Sequence, residues 1–299
     1  MSRKQRNQKC LPTIRSVPDS LWSVIERILA ELDPPARTGR KRIDARSALD
    51  AIIFRLRSGC PWNRLPKEFP DDSSVHRTFQ RWVRLGVFDR IWAVLLEACE
   101  DLDGCDWECQ AAATAMGKAR FGGDLVGPNP TDRAKAGVKR SLLVEADGGP
   151  LGVVVAGANI PDARLLAATI EAIVIERPKL DRPRHLCLDK GYDNRTGWGV
   201  VVDYDYEPHI QLIRDLRSPR KKYHKPRRWV VERTLAWLSK CRAILVRWDK
   251  KACNYLGLLK LACALIWFRR YHRLALSSAR SQTERAPCGA GQTGTPSMT

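Results

Sequence analysis

Apolar residues recur at helical spacing through roughly the first hundred positions. From Trp107 they give way to short β-like runs punctuated by glycine. A chain with that change of period folds as a helical region followed by a mixed α/β one, because the two periods line up different sets of side chains. Leu21, Trp22, Ile25, Ile28, Leu29 and Leu32 share one helical face, opened by Pro18 and Asp19 and stopped by Pro34 and Pro35. Asp44 is placed to cap a second helix that reaches Leu56 and is closed by Gly59. Asp72, Ser73 and Ser74 offer caps for a third helix from near Val75 to Gly86, and a fourth covers 88–98. Beyond them, 142–144 and 153–155 flank Asp147-Gly148-Gly149, a hairpin signal. Asp162 is placed to cap a helix running to Val174. Residues 185–188 read as a buried strand ending at Asp189, and Gly191 begins an exit loop. A further strand is expected over 206–213, a basic loop over 214–228, and helices over 229–238 and 254–274.

The charge narrows the partner. Lys plus Arg number 52 against 33 Asp plus Glu, a formal surplus of +19. Such an excess suits a polyanion, since neutralising phosphates releases condensed counterions. The basic residues are dispersed along the chain and not gathered on one amphipathic helix, so nucleic acid is favoured over a membrane surface. The longest apolar stretch, 255–268, carries Lys260 and is too short to cross a bilayer. No apolar signal core follows the basic first ten residues. The ten cysteines are scattered. Cys105 and Cys109 lack a second pair at zinc-site spacing, and His185 with Cys187 is no better. A reduced, cytoplasmic, nucleoid-associated protein with no membrane partner is expected.

Within the third helix, Val75, Phe79, Trp82 and Val83 form an apolar stripe, while His76, Arg77, Gln80, Arg81 and Arg84 lie mostly on other faces. A DNA-reading helix needs that division, one face held by its own domain and the other carrying side chains that can fork onto base edges. An ordinary solvated helix has the same periodicity, and the global charge decides between them.

Two acids stand where chemistry could be done. In Leu188-Asp189-Lys190-Gly191-Tyr192-Asp193 a carboxylate leaves a buried strand, aimed as a cation-holding group must be, although an Asp there can equally just make a turn. In Arg228-Trp229-Val230-Val231-Glu232-Arg233 an acid sits in an apolar helix with arginines at i−4 and i+1, which could be no more than an ion pair.

These segments, with Arg57-Ser58-Gly59-Cys60-Pro61-Trp62, Gly117-Lys118-Ala119-Arg120 and Asn129-Pro130-Thr131-Asp132-Arg133, bring out a resemblance. From about Val17 to Arg273 the chain resembles the DDE transposases of bacterial insertion sequences, in the group named after insertion sequence five. The resemblance implies an α/β fold, an RNase H-like mixed-sheet core behind an all-helical, helix-turn-helix-like N-terminal domain. The expected division is a basic flexible terminus over 1–16, a DNA-binding domain over 17–104, a transposase core over 105–276 and a disordered tail over 277–299. It implies metal-dependent phosphodiester hydrolysis and strand transfer at element ends. Asp189 and Glu232 would be the second and third acids, holding two Mg²⁺ or Mn²⁺ ions. Double-stranded DNA, as terminal inverted repeats and target, would be the partner of a homo-oligomer. Arg77, Gln80, Arg81, Arg84, Arg228 and Lys240 would contact it. Lys240 matches the family's basic position one residue out of step. Lys225 stands where the family has a tyrosine, and Tyr223 is the nearest one.

The first acid is missing. The position that carries Asp in relatives falls on Ala113, and a methyl group ligates nothing. Asp106, Glu108 and Asp124 are the nearest acids in sequence. Glu108 would lie on the opposite face of a regular strand, and Asp124 would have to fold back through Gly122 and Gly123. The expectation is therefore a transposase with an impaired site, and its rival is a catalytically dead copy acting as repressor or competitor. An unrelated metal-dependent nuclease would not need the helical head, and a nucleoid-structuring protein would not need the acids.

Overall fold

Asp44 and Asp71 start two of the four N-terminal helices by the same device, a carboxylate accepting from a backbone N–H three residues on, at Ser47 (2.7 Å) and Ser74 (2.9 Å). The computed structural model describes residues 16–35, 38–39, 41–210 and 228–285. Its first helices are α1 (Asp19–Leu32), α2 (Ala45–Ser58), α3 (Asp72–Arg84) and α4 (Val87–Glu100). The third cap is Asp71, so α3 starts three residues earlier than the reading from Val75. Gly59 ends α2 at φ 69, and a Cβ there would meet the Arg242 side chain at 2.8 Å. Glycine is thus required for both its dihedral and its close neighbour. The link from Gly59 to Asp71 contains the 3-10 turn Trp62–Arg64 and is much longer than the three or four residues of a tight helix-turn-helix connection.

The second half is one sheet with helices on both faces. Its strands are β1 (Cys109–Ala119), β2 (Gly127–Pro128), β3 (Ala136–Glu145), β4 (Pro150–Gly157), β5 (Arg184–Leu188), β6 (Tyr206–Ile210) and β7 (Val246–Arg247). The main path runs β4-β3-β1-β5-β6, with β3 antiparallel to its neighbours and β5 and β6 parallel to β1. That order and sense are those of an RNase H-like core. The short β2 and β7 extend β3 and β1. Alternation along β1 assigns the two faces. Thr114 donates to Asp162 (2.7 Å), and Ser141, its partner on β3, accepts from Thr169 (2.7 Å), so α5 (Asp162–Glu171) covers that side. Arg140 points the other way and donates to the Ile244 carbonyl of α8 (Arg242–Leu245). Helix α7 (Trp229–Ser239) packs on β1 and β3 and touches α8 and α9.

Three sequence expectations change. Residues 195–203 form α6 (Arg195–Asp203), within the exit loop expected to begin at Gly191. Gly197 is needed there because a Cβ would lie 2.2 Å from the Tyr192 carbonyl oxygen. The last helix, α9 (Ala252–Arg285), runs beyond Leu276, so the start of the expected tail is helical. Its segment Ala252–Ser277, at mean hydropathy 1.2, is long and apolar enough to cross a bilayer, contrary to the estimate from 255–268. Two-thirds of its most apolar window is buried inside the fold, however, which accounts for its apolarity as that of a core helix. The first fifteen residues, the end of the strand expected over 206–213, the basic loop as far as residue 227 and the last fourteen residues lie outside the described residues.

Helix α9 belongs to both halves. It lies along α4 and also meets β4, so the buried apolar side chains of head and sheet form one continuous cluster. Buried charges pin the junction. Arg270 of α9 donates to Glu145 at the end of β3 (2.8 Å), and that carboxylate, fully buried, also accepts from the N–H groups of Gly149, Asp147 and Asp106. The indoles of Trp92 and Trp267 both donate to the Pro150 carbonyl, at 3.1 and 2.6 Å. Arg55 of α2 pairs with Asp249 beyond β7 (2.8 Å), and its guanidinium lies over Trp62 at 4.7 Å.

Asp249→Ala should lower unfolding free energy by about 3–5 kcal/mol, because it strands the Arg55 charge in the interior. Arg55→Met with Asp249→Leu should recover most of that loss. Urea midpoints at constant slope measure both, and a single variant as stable as the parent refutes the ion pair's role. His76 stacks on Trp62 at 4.7 Å and 18°, and burial holds its imidazole below the ordinary histidine range. Protonation therefore favours the unfolded chain: stability present above the unfolded pKa is lost as pH falls through and below the ordinary histidine range. His76→Phe should flatten that decline in a pH series of thermal melts, and an identical decline in both proteins would exclude His76 as its source.

Candidate active site

Ala113 lies in the middle of β1, opposite Leu142 on β3 and two residues beyond the last pair between β1 and β5. The parallel register pairs Cys109 with His185, Gln110 with Leu186 and Ala111 with Cys187. The ladder ends there, two residues before Ala113 on one chain segment and two before Asp189 on the other. Parity gives the face, since Cys109, Ala111 and Ala113 share one side of β1 while His185, Cys187 and Asp189 share the same side of β5. The Cys109 and Cys187 sulfurs, 4.0 Å apart, confirm that these two sets face each other. It is the side away from α5, the one on which α7 packs.

Asp189 follows the last strand residue in extended conformation and caps the 3-10 turn Lys190–Tyr192, its Oδ1 accepting from the Gly191 N–H at 2.8 Å. The turn-making role open from sequence is thus real, and it also fixes the carboxylate's direction. Gly191 leaves room for it, as a Cβ there would come within 2.9 Å of that oxygen. Behind this turn Tyr192 is buried, and among the described residues its hydroxyl has no hydrogen-bond partner. Burial first, then the charges of Asp162 and Asp189, push its phenol well above the usual tyrosine range. Asp162 itself is held by Thr114 and by Lys139 (2.5 Å) on the opposite face of the sheet. Sequence reading took Asp162 only as a helix cap. The cap position is Pro161, and Asp162 instead ties α5 to β1 and β3.

Glu232 stands in the first turn of α7, half-exposed, and pairs with Arg228 at 3.0 Å. The helix is anchored through Val230, Val231, Thr234, Leu235 and Leu238, and Thr234 and Arg233 donate to the Gly148 and Asp147 carbonyls of the β3–β4 hairpin. Arg233 also lies between the rings of Trp229 and Trp237, at 4.7 and 4.8 Å. Lys240 is the exposed residue that ends α7. Lys225 and Tyr223 lie outside the described residues. Among the described residues, no hydrogen bond or ion pair joins Asp189 to Glu232.

The alternative acids sit elsewhere. Glu108 opens β1, pairs with Arg182 (3.0 Å) and gives its carbonyl to His185 N–H, five residues short of Ala113. Asp106 stands still earlier, its carbonyl taking the Ala146 N–H. Asp124 lies beyond the far end of β1, where its N–H donates to the Lys250 carbonyl. Carboxylate oxygens suit Mg²⁺ or Mn²⁺. Yet among the described residues no group of three or more His, Cys, Asp or Glu could hold a metal ion. The residues present do not complete a two-ion site.

On α3, Val75, Thr78, Phe79 and Trp82 are buried, while Arg77 and Arg84 are exposed and Gln80 is half-buried. Two residues of the expected reading face are otherwise engaged. His76 stacks on Trp62. Arg81 is bound through Nε to both oxygens of Asp33 at the end of α1 (3.1 and 2.9 Å).

The sequence matches two family profiles in tandem, one described as "Putative transposase of IS4/5 family" over residues 17–92 and one described as "Transposase DDE domain" over 101–267. It is 38% identical over 159 residues to the "Putative transposase for insertion sequence element IS402" of Burkholderia cepacia, covering 52% of this chain and 74% of that protein. It is also 31% identical over 118 residues to the "Insertion element IS402 uncharacterized 16.2 kDa protein" of the same organism, 38% of this chain and 80% of that one. Among solved structures, the catalytic domain of Mos1 mariner transposase is 11% identical over 64% of this chain and 91% of that one, at a TM-score of 0.27, too loose a match to bear on the fold. With a strand-end aspartate, a helix-borne glutamate and the DDE profile spanning more than half its length, the chain belongs to the DDE transposases of bacterial insertion sequences.

Proposed function

We propose that this transposase binds the terminal inverted repeats of its element and retains binding while strand cleavage is impaired at Ala113. What supports the reading is the parallel β1–β5 ladder: its pairs end at Ala111 and Cys187, and two more residues along each chain lead to Ala113 and Asp189. The family's chemistry uses a divalent metal. In this chain Asp189 and Glu232 supply two of the carboxylates that would hold Mg²⁺ or Mn²⁺, and the third is gone. Groups that act as one catalytic unit fail together, so losing one abolishes most of the rate. Arg228 steadies Glu232, and Lys240 lies further along α7 as a contact for backbone phosphate. The head would read the repeats through Arg77 and Gln80, with the protein working as a homo-oligomer on cytoplasmic, nucleoid-associated DNA and on target DNA. The same substitution favours a second role, that of a binding-competent copy that competes with active transposase at element ends.

Ala113→Asp should raise Mn²⁺-dependent nicking of element-end DNA by at least about a hundredfold, with unchanged affinity for the duplex. Adding Glu232→Gln to that variant should return nicking to the parent's level. Gel assays of a labelled end duplex decide the matter. An inert Ala113→Asp protein that still binds DNA refutes the assignment, as does strong parental cleavage that survives replacement of both Glu108 and Asp124.

A further inference from the structure

Where α1 ends beside the last turn of α3, a cleft of about 480 Å³ is lined by Leu32, Asp33, Pro34, Arg42, Arg81, Arg84 and Leu85. Its centre is the Asp33 carboxylate, whose side chain is 7% exposed. Three donors converge on it, Arg42 at 2.5 Å, Arg81 through Nε, and the Trp82 indole at 2.9 Å. Arg42 is further fixed by the Asp33 and Pro34 carbonyls. Arg84 faces the same cleft and makes no hydrogen bond or ion pair among the described residues. One carboxylate thus stands against three guanidinium groups, leaving two positive charges uncompensated within one opening. A guanidinium carries five N–H donors, and Arg81 gives Asp33 only its Nε–H. The planar terminal nitrogens that remain match the geometry of a tetrahedral oxyanion.

The cleft continues the exposed stripe of α3. Arg77, Arg81 and Arg84 recur at i, i+4 and i+7, so Arg77 and the cleft lie along one side of the helix. On this basis, and resting on the DNA-binding reading of the head, we infer that the Asp33-organised arginines form a clamp for a DNA backbone phosphate. Arg81 and Arg42 shape the seat and Arg84 closes on the phosphate from outside. Arg81 then positions DNA without reading its sequence, a task left to the side chains nearer the middle of α3. Asp33 is a positioning residue. Its negative charge, shared between two arginines, holds their planes fixed in the absence of DNA.

Arg84 is the informative position, because its replacement removes no partner from the fold. Equilibrium binding of the full chain would be followed against potassium chloride, with an element-end duplex and with a scrambled duplex of the same length. Arg84→Ala should weaken both equally, by about fivefold at 0.15 M salt, and should make the log–log salt slope less negative by about 0.9. Arg84→Lys, which keeps the charge, should restore most of the slope. An unchanged slope in Arg84→Ala with parental binding intact overturns the clamp alone. So does a loss confined to the element-end duplex, which would make Arg84 a base reader. A parent protein that binds neither duplex overturns the clamp together with the reading beneath it.

Discussion

The fold depends on how α9 is held between the helices and the sheet. Apolar burial supplies the contact, but a greasy helix could slide or rotate against its neighbours without directional anchors. The fully buried Glu145 provides one, with Arg270 on one side and three backbone N–H groups on the other. Such a carboxylate is tolerable only because every approach to it is a donor. The Pro150 carbonyl provides a second, taking Trp92 from the head and Trp267 from α9. Both anchors lie at the β3–β4 hairpin, the same hairpin to which α7 is bonded through Arg233 and Thr234. The orientation of the head and the placement of Glu232 thus rest on one small region.

That arrangement leaves the architecture independent of what stands at position 113. Ala113 occupies an ordinary strand position opposite Leu142 of β3, and among the described residues no charged group is bonded there. Asp189 is kept in place by its own turn, and Glu232 by Arg228.

The head shows the reverse economy. Arg81 looks on a helical wheel like a side chain facing solvent, but Asp33 draws it back toward α1. Pairing it with a mostly buried carboxylate makes the contact worth more than a surface ion pair, because less solvent screens it. Arg42 reaches the same carboxylate from the loop before α2, so three segments of the head meet at one acid.

Local signals carried much of this structure in advance. Caps, glycine at the end of α2, the hairpin at Asp147-Gly148-Gly149 and the alternating runs of the sheet are decided by residues close together in sequence, where short-range sterics and hydrogen bonding act alone. That Asp189 would leave a strand and Glu232 sit in a helix was also legible, because a strand end and a helix face can be read from pattern. What no local pattern could supply was the pairing of β1 with β5, the shared use of α9, and the withdrawal of Arg81 to Asp33. Each is a pairing between groups distant along the chain, chosen by packing and charge compensation that exist only once the whole polypeptide has collapsed.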